Sequence, residues 1–174
     1  MTFDKYTIKA QEAVQAALQT AQKAGQQSVE AVHLLTGIIS KGRDITNYVF
    51  QKLGVNSQGV DIALQQEIQH LPRVQGGQPF FSNETAQIFN SAEEISQKMG
   101  DEFVSLEPLL LAIIKGKSTA SRILKDAGCS EEGMRKAIDE LRQGQKVQSQ
   151  SGDENYQVLD KYAINLVERA RAGK

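Results

Sequence analysis

The sequence predicts an all-α fold: a pseudo-twofold tandem repeat of two four-helix units, followed by a flexible linker and a short helix. Three observations lead there. Apolar residues recur at three- and four-residue spacing, and no segment alternates apolar with polar over strand length. Residues 23–39 laid over 98–114, a shift of 75, give 7 identities in 17 positions. Between the apolar stripes stand short breaks of Gly, Ser, Thr, Asn or Pro, the residues that start and stop helices.

The identities are Lys23/Lys98, Gly25/Gly100, Val29/Val104, Leu34/Leu109, Leu35/Leu110, Ile38/Ile113 and Ile39/Ile114. With one residue deleted, the register continues at a shift of 74: Gly54-Val55-Asn56 meets Gly128-Cys129-Ser130, and Gly59 and Ala63 meet Gly133 and Ala137. Upstream, Thr7 meets Ser82. A match carried through four segments marks a tandem duplication of about 75 residues.

In repeat one, Thr7 can cap a helix whose stripe is Ala10, Ala13, Val14, Ala17, Leu18, Ala21 and Ala24. Its small side chains suggest close approach of a neighbouring helix, and Gly25 stops it. A strongly apolar helix follows over Glu30 to Ile39, then one near Ile45 to Leu53 ending at Gly54. Asn56 is a candidate cap for a fourth, with Val60, Leu64, Ile68 and Leu71. In repeat two, Ser82 caps a helix with Ile88, Ala92 and Ile95 on one face. Leu106 to Ile114 is its apolar helix, with Pro108 tolerated in the first turn. Ser121 to Ala127 and Met134 to Leu141 complete the set.

The expected organisation is a double repeat over 1–142, with repeat one about 1–71 and repeat two about 80–142. Pro72, Gly76, Gly77 and Pro79 keep the joint out of helix. Residues 143–155, rich in Gln, Ser and Gly with no apolar pattern beyond Val147, read as a flexible linker. Residues 156–174 place Tyr156, Leu159, Tyr162, Ala163, Leu166, Val167 and Ala170 at helical spacing, an amphipathic segment that belongs with something further downstream.

Composition excludes several classes. Apolar residues make up 40%, a soluble globular composition. Twenty basic against 21 acidic side chains, net −1, disfavour nucleic acid, whose binders carry a basic excess. Cys129 is the single cysteine, so a reducing, cytoplasmic setting is expected. The N-terminus reads as no signal peptide, and the longest apolar run, Leu109 to Ile114, falls far short of the roughly 20 residues a membrane span needs.

No catalytic constellation emerges. Gly116-Lys117-Ser118 resembles the end of a phosphate-binding loop, but position 111 is Leu111 where that loop needs Gly, and a helix rather than a strand precedes it. His33 and His70 are too few for a metal site, and His33 aligns with Pro108, so packing or capping is expected. Cys129 aligns with Val55 and reads as a small buried residue rather than a nucleophile. Glu93, Glu94, Glu131 and Glu132 read as solvated. Asp101 and Glu107 flank a helix start, where they serve either the helix dipole or binding.

Two four-helix repeats, a polar linker and the closing stretch Tyr156-Gln-Val-Leu-Asp-Lys-Tyr-Ala-Ile-Asn-Leu-Val-Glu-Arg-Ala-Arg-Ala-Gly-Lys174 together resemble the N-terminal region of Clp AAA+ ATPases. Leu71-Pro72-Arg73-Val74-Gln75-Gly76, Lys161-Tyr162 and Glu168-Arg169-Ala170 are most similar to the ClpB type. ClpC-type domains bind phosphoarginine through a glutamate in each repeat; Val32 stands at the first such position and Glu107 at the second, against that reading. The resemblance implies a substrate-recognition domain, not itself an enzyme, of an ATP-dependent disaggregase. It implies unfolded or aggregated client proteins as partners, delivery to a hexameric pore, and cooperation with the DnaK chaperone system. No cofactor is implied in these residues; ATP and Mg belong to ATPase domains downstream. Thr7, Asp101 and Glu107 match the family's client-handling surface, as a carboxylate rim beside an apolar groove in repeat two where Ile95 matches. Ser91 and Pro108 depart from the larger aliphatics usual in that groove. These residues are expected to be monomeric on their own, and Asp101→Ala with Glu107→Ala is expected to abolish client binding without unfolding. The alternative is an adaptor- or degron-docking domain of a ClpC- or ClpA-type protease unfoldase.

Overall fold

Short polar side chains start most of the helices. Thr7, Asn56, Ser82, Ser118 and Ser130 each accept hydrogen bonds from backbone N–H groups of the turn that follows, filling donors that would otherwise be orphaned. In the computed structural model, which describes residues 2–155, they open α1 (Ile8–Lys23), α4 (Ser57–His70), α5 (Asn83–Lys98), α7 (Thr119–Asp126) and α8 (Glu131–Arg142). The remaining helices are α2 (Ala31–Lys41), α3 (Arg43–Leu53) and α6 (Leu106–Lys115). α7 and α8 begin two and three residues before their apolar stripes, because a capped first turn is polar. Residues 156–174, the expected downstream lead-in, lie outside the described residues.

The duplication is visible in backbone geometry. Gly25 and Gly100 end the first helix of each repeat with φ of 71° and 80°, a left-handed conformation that favours glycine. The next N–H closes the same bond in both halves, Gln26 to the Ala21 carbonyl at 2.8 Å and Asp101 to the Ser96 carbonyl at 2.9 Å.

The halves are also tied to each other. β1 (Ser28–Val29) pairs in parallel with β2 (Phe80–Phe81), joining Val29 to Phe81. A separate parallel bridge joins Tyr6 to Val104. The shift of 75 carries Val29 onto Val104 and Tyr6 onto Phe81, so these are one pairing made twice with the halves exchanged. The bonds agree: Ser82 N–H donates to the Val29 carbonyl at 3.2 Å, and Thr7 N–H to the Val104 carbonyl at 2.9 Å. Strands of two residues have no period to detect, which is why sequence patterning gives no sign of them. Phe3, Tyr6, Phe81 and Phe89 pack edge to face around this junction with centroids 4.9 to 6.2 Å apart.

α2 and α6 form the centre. Leu34, Leu35, Ile38, Leu109, Leu110, Ile113 and Ile114 are fully buried, and α6 is enclosed on all sides from Leu106 to Ile114. The alanine stripe of α1, Ala10, Ala13, Ala17 and Ala21, packs on α2. Contact is so close that a Cβ at Gly37 would fall 2.2 Å from the Ala13 carbonyl oxygen.

One expectation is corrected. Residues 143–155 are not a free linker as far as Asp153: Val147 is fully buried, and Gly152 and Asp153 are buried too. The segment closes as a strap over the body and ends in a 3₁₀ turn, Gly152–Asn155. Composition misleads here because one aliphatic anchor and backbone hydrogen bonds suffice to seat a polar segment.

Gly37→Ala should cost about 1–3 kcal/mol despite alanine's higher helix propensity, because α1 and α2 must separate. Urea unfolding checks this; a neutral or stabilising substitution would contradict the close approach.

A buried carboxylate cluster beneath a strap as the candidate functional site

Gln26 and Asp101 occupy equivalent positions just after the left-handed glycines, and their side chains reach equivalent helix ends by different chemistry. In repeat one, the Gln26 amide donates to the Ile68 carbonyl at the end of α4, at 2.5 Å. His33 completes this network. Its Nδ1 accepts from Glu30 N–H at 2.8 Å, closing a capping box on α2, so its proton resides on Nε2, which donates to Gln26 Oε1 at 2.6 Å. Burial lowers the His33 pKa, partly offset by the charge of Glu30. The sequence expectation of a capping histidine therefore holds.

In repeat two, the end of α8 supplies Arg142, at the position equivalent to Ile68 under the shift of 74. Its Nη1 donates to both Asp101 oxygens at 3.0 and 2.8 Å, Nε to Glu107 Oε1 at 3.0 Å, and Nη2 to Ser105 Oγ at 2.9 Å. Both carboxylate side chains are 0% exposed and the arginine side chain 4%. Asp101 and Glu107 thus form no solvent-facing rim: both are buried against Arg142, so their joint removal is expected to destabilise the fold by leaving a buried cation unpaired. Arg142 is the member of this cluster that sequence reasoning missed. It ends an apolar stripe where a solvated cation is the default, and its partners lie 41 and 35 residues away.

Thr7 and the strap close the site from above. The Thr7 hydroxyl accepts from Ala10 N–H at 3.1 Å as the cap of α1 and donates to Asp153 Oδ2 at 2.7 Å. Val147 N–H donates to Asp101 Oδ1 at 3.0 Å, and Glu102 N–H to the Val147 carbonyl at 2.8 Å. Ile8 N–H donates to the Gln150 carbonyl at 2.8 Å. Burial raises the Asp153 pKa to about 6; the Glu107 charge adds to the rise, while the Thr7 bond and Lys9 oppose it. The structure therefore brings Thr7, Asp101 and Glu107 together, but Ile95 is buried in the core from α5.

Two open clefts flank α1 and α5. One, about 450 Å³, is lined by Phe3, Ile8, Glu12, Leu18, Lys41 and Phe81 among others. The other, about 400 Å³, includes Glu84, Ile88, Ser91, Ala112, Lys115 and Lys117. The shift of 75 maps Glu12 onto Gln87 and Ala16 onto Ser91, so the clefts are repeat-related. Ser91 lines the second cleft, whereas Pro108 is buried within α6 and Ile95 lines neither cleft. Among the described residues, no three His, Cys, Asp or Glu gather as metal ligands. Burial pushes the Cys129 thiol up to about 11, leaving it protonated and unreactive at neutral pH. No described helix is long and apolar enough to cross a membrane.

Removing one carboxylate from a buried arginine leaves uncompensated charge. Asp101→Ala should therefore cost about 3–5 kcal/mol. Gln26→Ala, which breaks neutral bonds at the equivalent position, should cost about 1–3 kcal/mol. Denaturant titration of both variants distinguishes them; equal losses would contradict the ionic role. Asp153 gives a pH test. Its seated pKa is raised, so charging opposes docking: the strap is held fully below the ordinary 3.8 and loosens as pH rises through about 6. The opening free energy from amide exchange at Ile8 should fall between about pH 4 and about pH 6.5 and level off above, and Asp153→Asn should flatten that dependence.

Comparison with known proteins places this architecture. The family described as the Clp repeat (R) N-terminal domain matches residues 5–127. The chaperone protein ClpB of Bacteroides thetaiotaomicron is 52% identical over 174 residues, all of this chain and 20% of that protein. ClpB of Porphyromonas gingivalis is 44% identical over the same share of each. The chain thus spans about a fifth of the length of these curated relatives. The crystal structure of the Hsp104 N-terminal domain from Candida albicans superposes with a TM-score of 0.74 at 20% identity, over 86% of this chain and 99% of that one. The N-terminal domain of ClpD from Arabidopsis thaliana gives 0.62 at 23% identity, over 79% and 94%. The chain belongs to the Clp repeat N-terminal domain family, and its curated relatives are ClpB chaperones.

Proposed function

We propose that these residues form the client-recognition domain of a ClpB-type, ATP-dependent disaggregase. The observation that carries the reading is the match to chaperone ClpB along the whole chain, at 52% identity. In this reading the domain binds exposed apolar segments of unfolded or aggregated proteins and passes them to a hexameric pore. ATP and Mg are held by ATPase domains downstream, and the DnaK system cooperates with the assembly. The domain itself binds and performs no chemistry, and it works in the cytoplasm.

The clefts support the binding part of the proposal. Each combines apolar surface with charged residues: Phe3, Ile8 and Phe81 beside Glu12 and Lys41, and Ile88 and Ala112 beside Glu84, Lys115 and Lys117. Apolar burial returns about 25 cal/mol per Å² without demanding a sequence. Charged margins speed encounter with polar flanks. In a ring of six, tethering converts weak single contacts into avidity. Promiscuity of this kind suits clients that have in common only the loss of their fold.

Ile8 is 47% exposed in the first cleft, so its side chain is available to a ligand. Ile8→Asp should weaken binding of reduced, carboxymethylated α-lactalbumin at least ~5-fold with an unchanged melting transition. Ser91→Leu, which enlarges the apolar wall of the second cleft, should tighten it by roughly 4-fold per added CH₂ buried. Fluorescence anisotropy measures both. Unaltered affinity in the two variants would remove the clefts from the site. Binding of a folded adaptor in place of unfolded chains would favour protease docking.

A further inference from the structure

The segment Lys146–Asp153 is attached as a bound peptide is attached. Val147 is fully buried, while its neighbours Lys146 and Gln148 are exposed. The body captures the backbone on both sides of that anchor: Asp101 Oδ1 takes the Val147 N–H at 3.0 Å, and Glu102 N–H meets the Val147 carbonyl at 2.8 Å. Three residues on, Ile8 N–H holds the Gln150 carbonyl at 2.8 Å. Main-chain hydrogen bonds plus a pocket for one side chain form a tolerant mode of recognition.

The fit is incomplete. Glu107 Oε2, Gln145 Oε1 and Asp153 Oδ1 are buried with no hydrogen-bond partner among the described residues. Buried polar atoms are nearly always paired, so all three are unmet acceptors. Asp153 lies on the strap and Gln145 at its root, so both would return to water on its release. The third, on Glu107, belongs to the body and would accept from a donor that the strap does not supply. With the strap lifted, the body would present Asp101 and Glu107 as acceptors, the Thr7 hydroxyl and the Ile8 and Glu102 N–H groups as donors, and the vacated Val147 pocket.

We infer that Lys146–Asp153 occupies, in cis, a receptor seat for extended peptide on this domain. Client segments compete for it when they carry a small branched apolar residue near a lysine or arginine that can reach Glu107. The seat follows from geometry, and only the identity of the competitor rests on the client-recognition reading.

The test uses the full 174-residue chain, a fluorescein-labelled peptide of residues 144–154, and carboxymethylated α-lactalbumin. Val147→Asp should expel the strap. The Ile8 and Glu102 amides should then lose protection from exchange, and the labelled peptide should bind at least ~10-fold more tightly than to the parent. A peptide with aspartate at its own anchor should not bind. The unfolded protein should displace the bound peptide. If Val147→Asp alters the circular dichroism, Val147→Ala replaces it, with an intermediate gain expected. Failure of the peptide to bind a folded, released variant overturns the seat. Simultaneous binding of peptide and unfolded protein overturns the competition. Peptide binding with no unfolded-protein binding by any variant sinks the client reading and leaves the seat standing.

Discussion

The backbone exchange between halves is the constraint on which the rest depends. Thr7 N–H to the Val104 carbonyl and Ser82 N–H to the Val29 carbonyl fasten the start of each repeat to the start of the other repeat's second helix. Each bond alone is worth only about 1 kcal/mol. Their consequence is positional, because they fix the cap of α1 beside the start of α6. Thr7 and Glu107, far apart in sequence, thereby come to face the same residue, Asp153. Without the exchange, the duplication would give two bundles in series, each with an incomplete core. With it, α2 and α6 share one interior.

The helices were legible because the physics that makes them is local. Caps such as Thr7, Ser82 and Asn56, and glycine stops such as Gly25 and Gly54, act within one turn. The alanine stripe of α1 even predicted a close neighbour, which Gly37 supplies. The site was legible only as a set of names. Thr7, Asp101 and Glu107 do converge, yet their burial could not be read from sequence, because it depends on Arg142 and Asp153. Neither partner has a periodic signature, and both contacts span long stretches of chain. The strap was misread for a related reason: Val147 is a single apolar residue in polar surroundings, below the threshold of any pattern.

The two halves solve one packing problem in two dielectric regimes. Behind each left-handed glycine, a side chain must hold the end of the repeat's last helix. Gln26 does so with a neutral amide and a neutral histidine, which costs little desolvation. Asp101 does so through an arginine, which costs much more to bury and needs every donor placed. Nη1, Nε and Nη2 all find acceptors on Asp101, Glu107 and Ser105. A buried ion pair is weak grounds for stability, since apolar replacements of similar volume are often as stable. Stability alone therefore does not account for the ionic version. What it adds is a carboxylate pair of which Asp101 holds the strap's backbone and Glu107 keeps one oxygen unmet.

Topology says why only one half has such an acceptor to offer. After α4 the chain must continue, and the joint passes its own glycine loop on the way to α5: Val74 N–H donates to the Gly25 carbonyl at 2.9 Å, and Phe80 N–H to the Gln27 carbonyl at 3.0 Å. That covering is obligatory, because lifting it would pull β2 and the start of α5 from the core. After α8 the strap passes the equivalent loop at Gly100, with Glu102 N–H donating to the Val147 carbonyl. No helix of either repeat hangs from its far end. The same segment that is structural in the first half is thus free, in the second, to leave without dismantling the repeats. Duplication made two seats, and only the second can change its occupant.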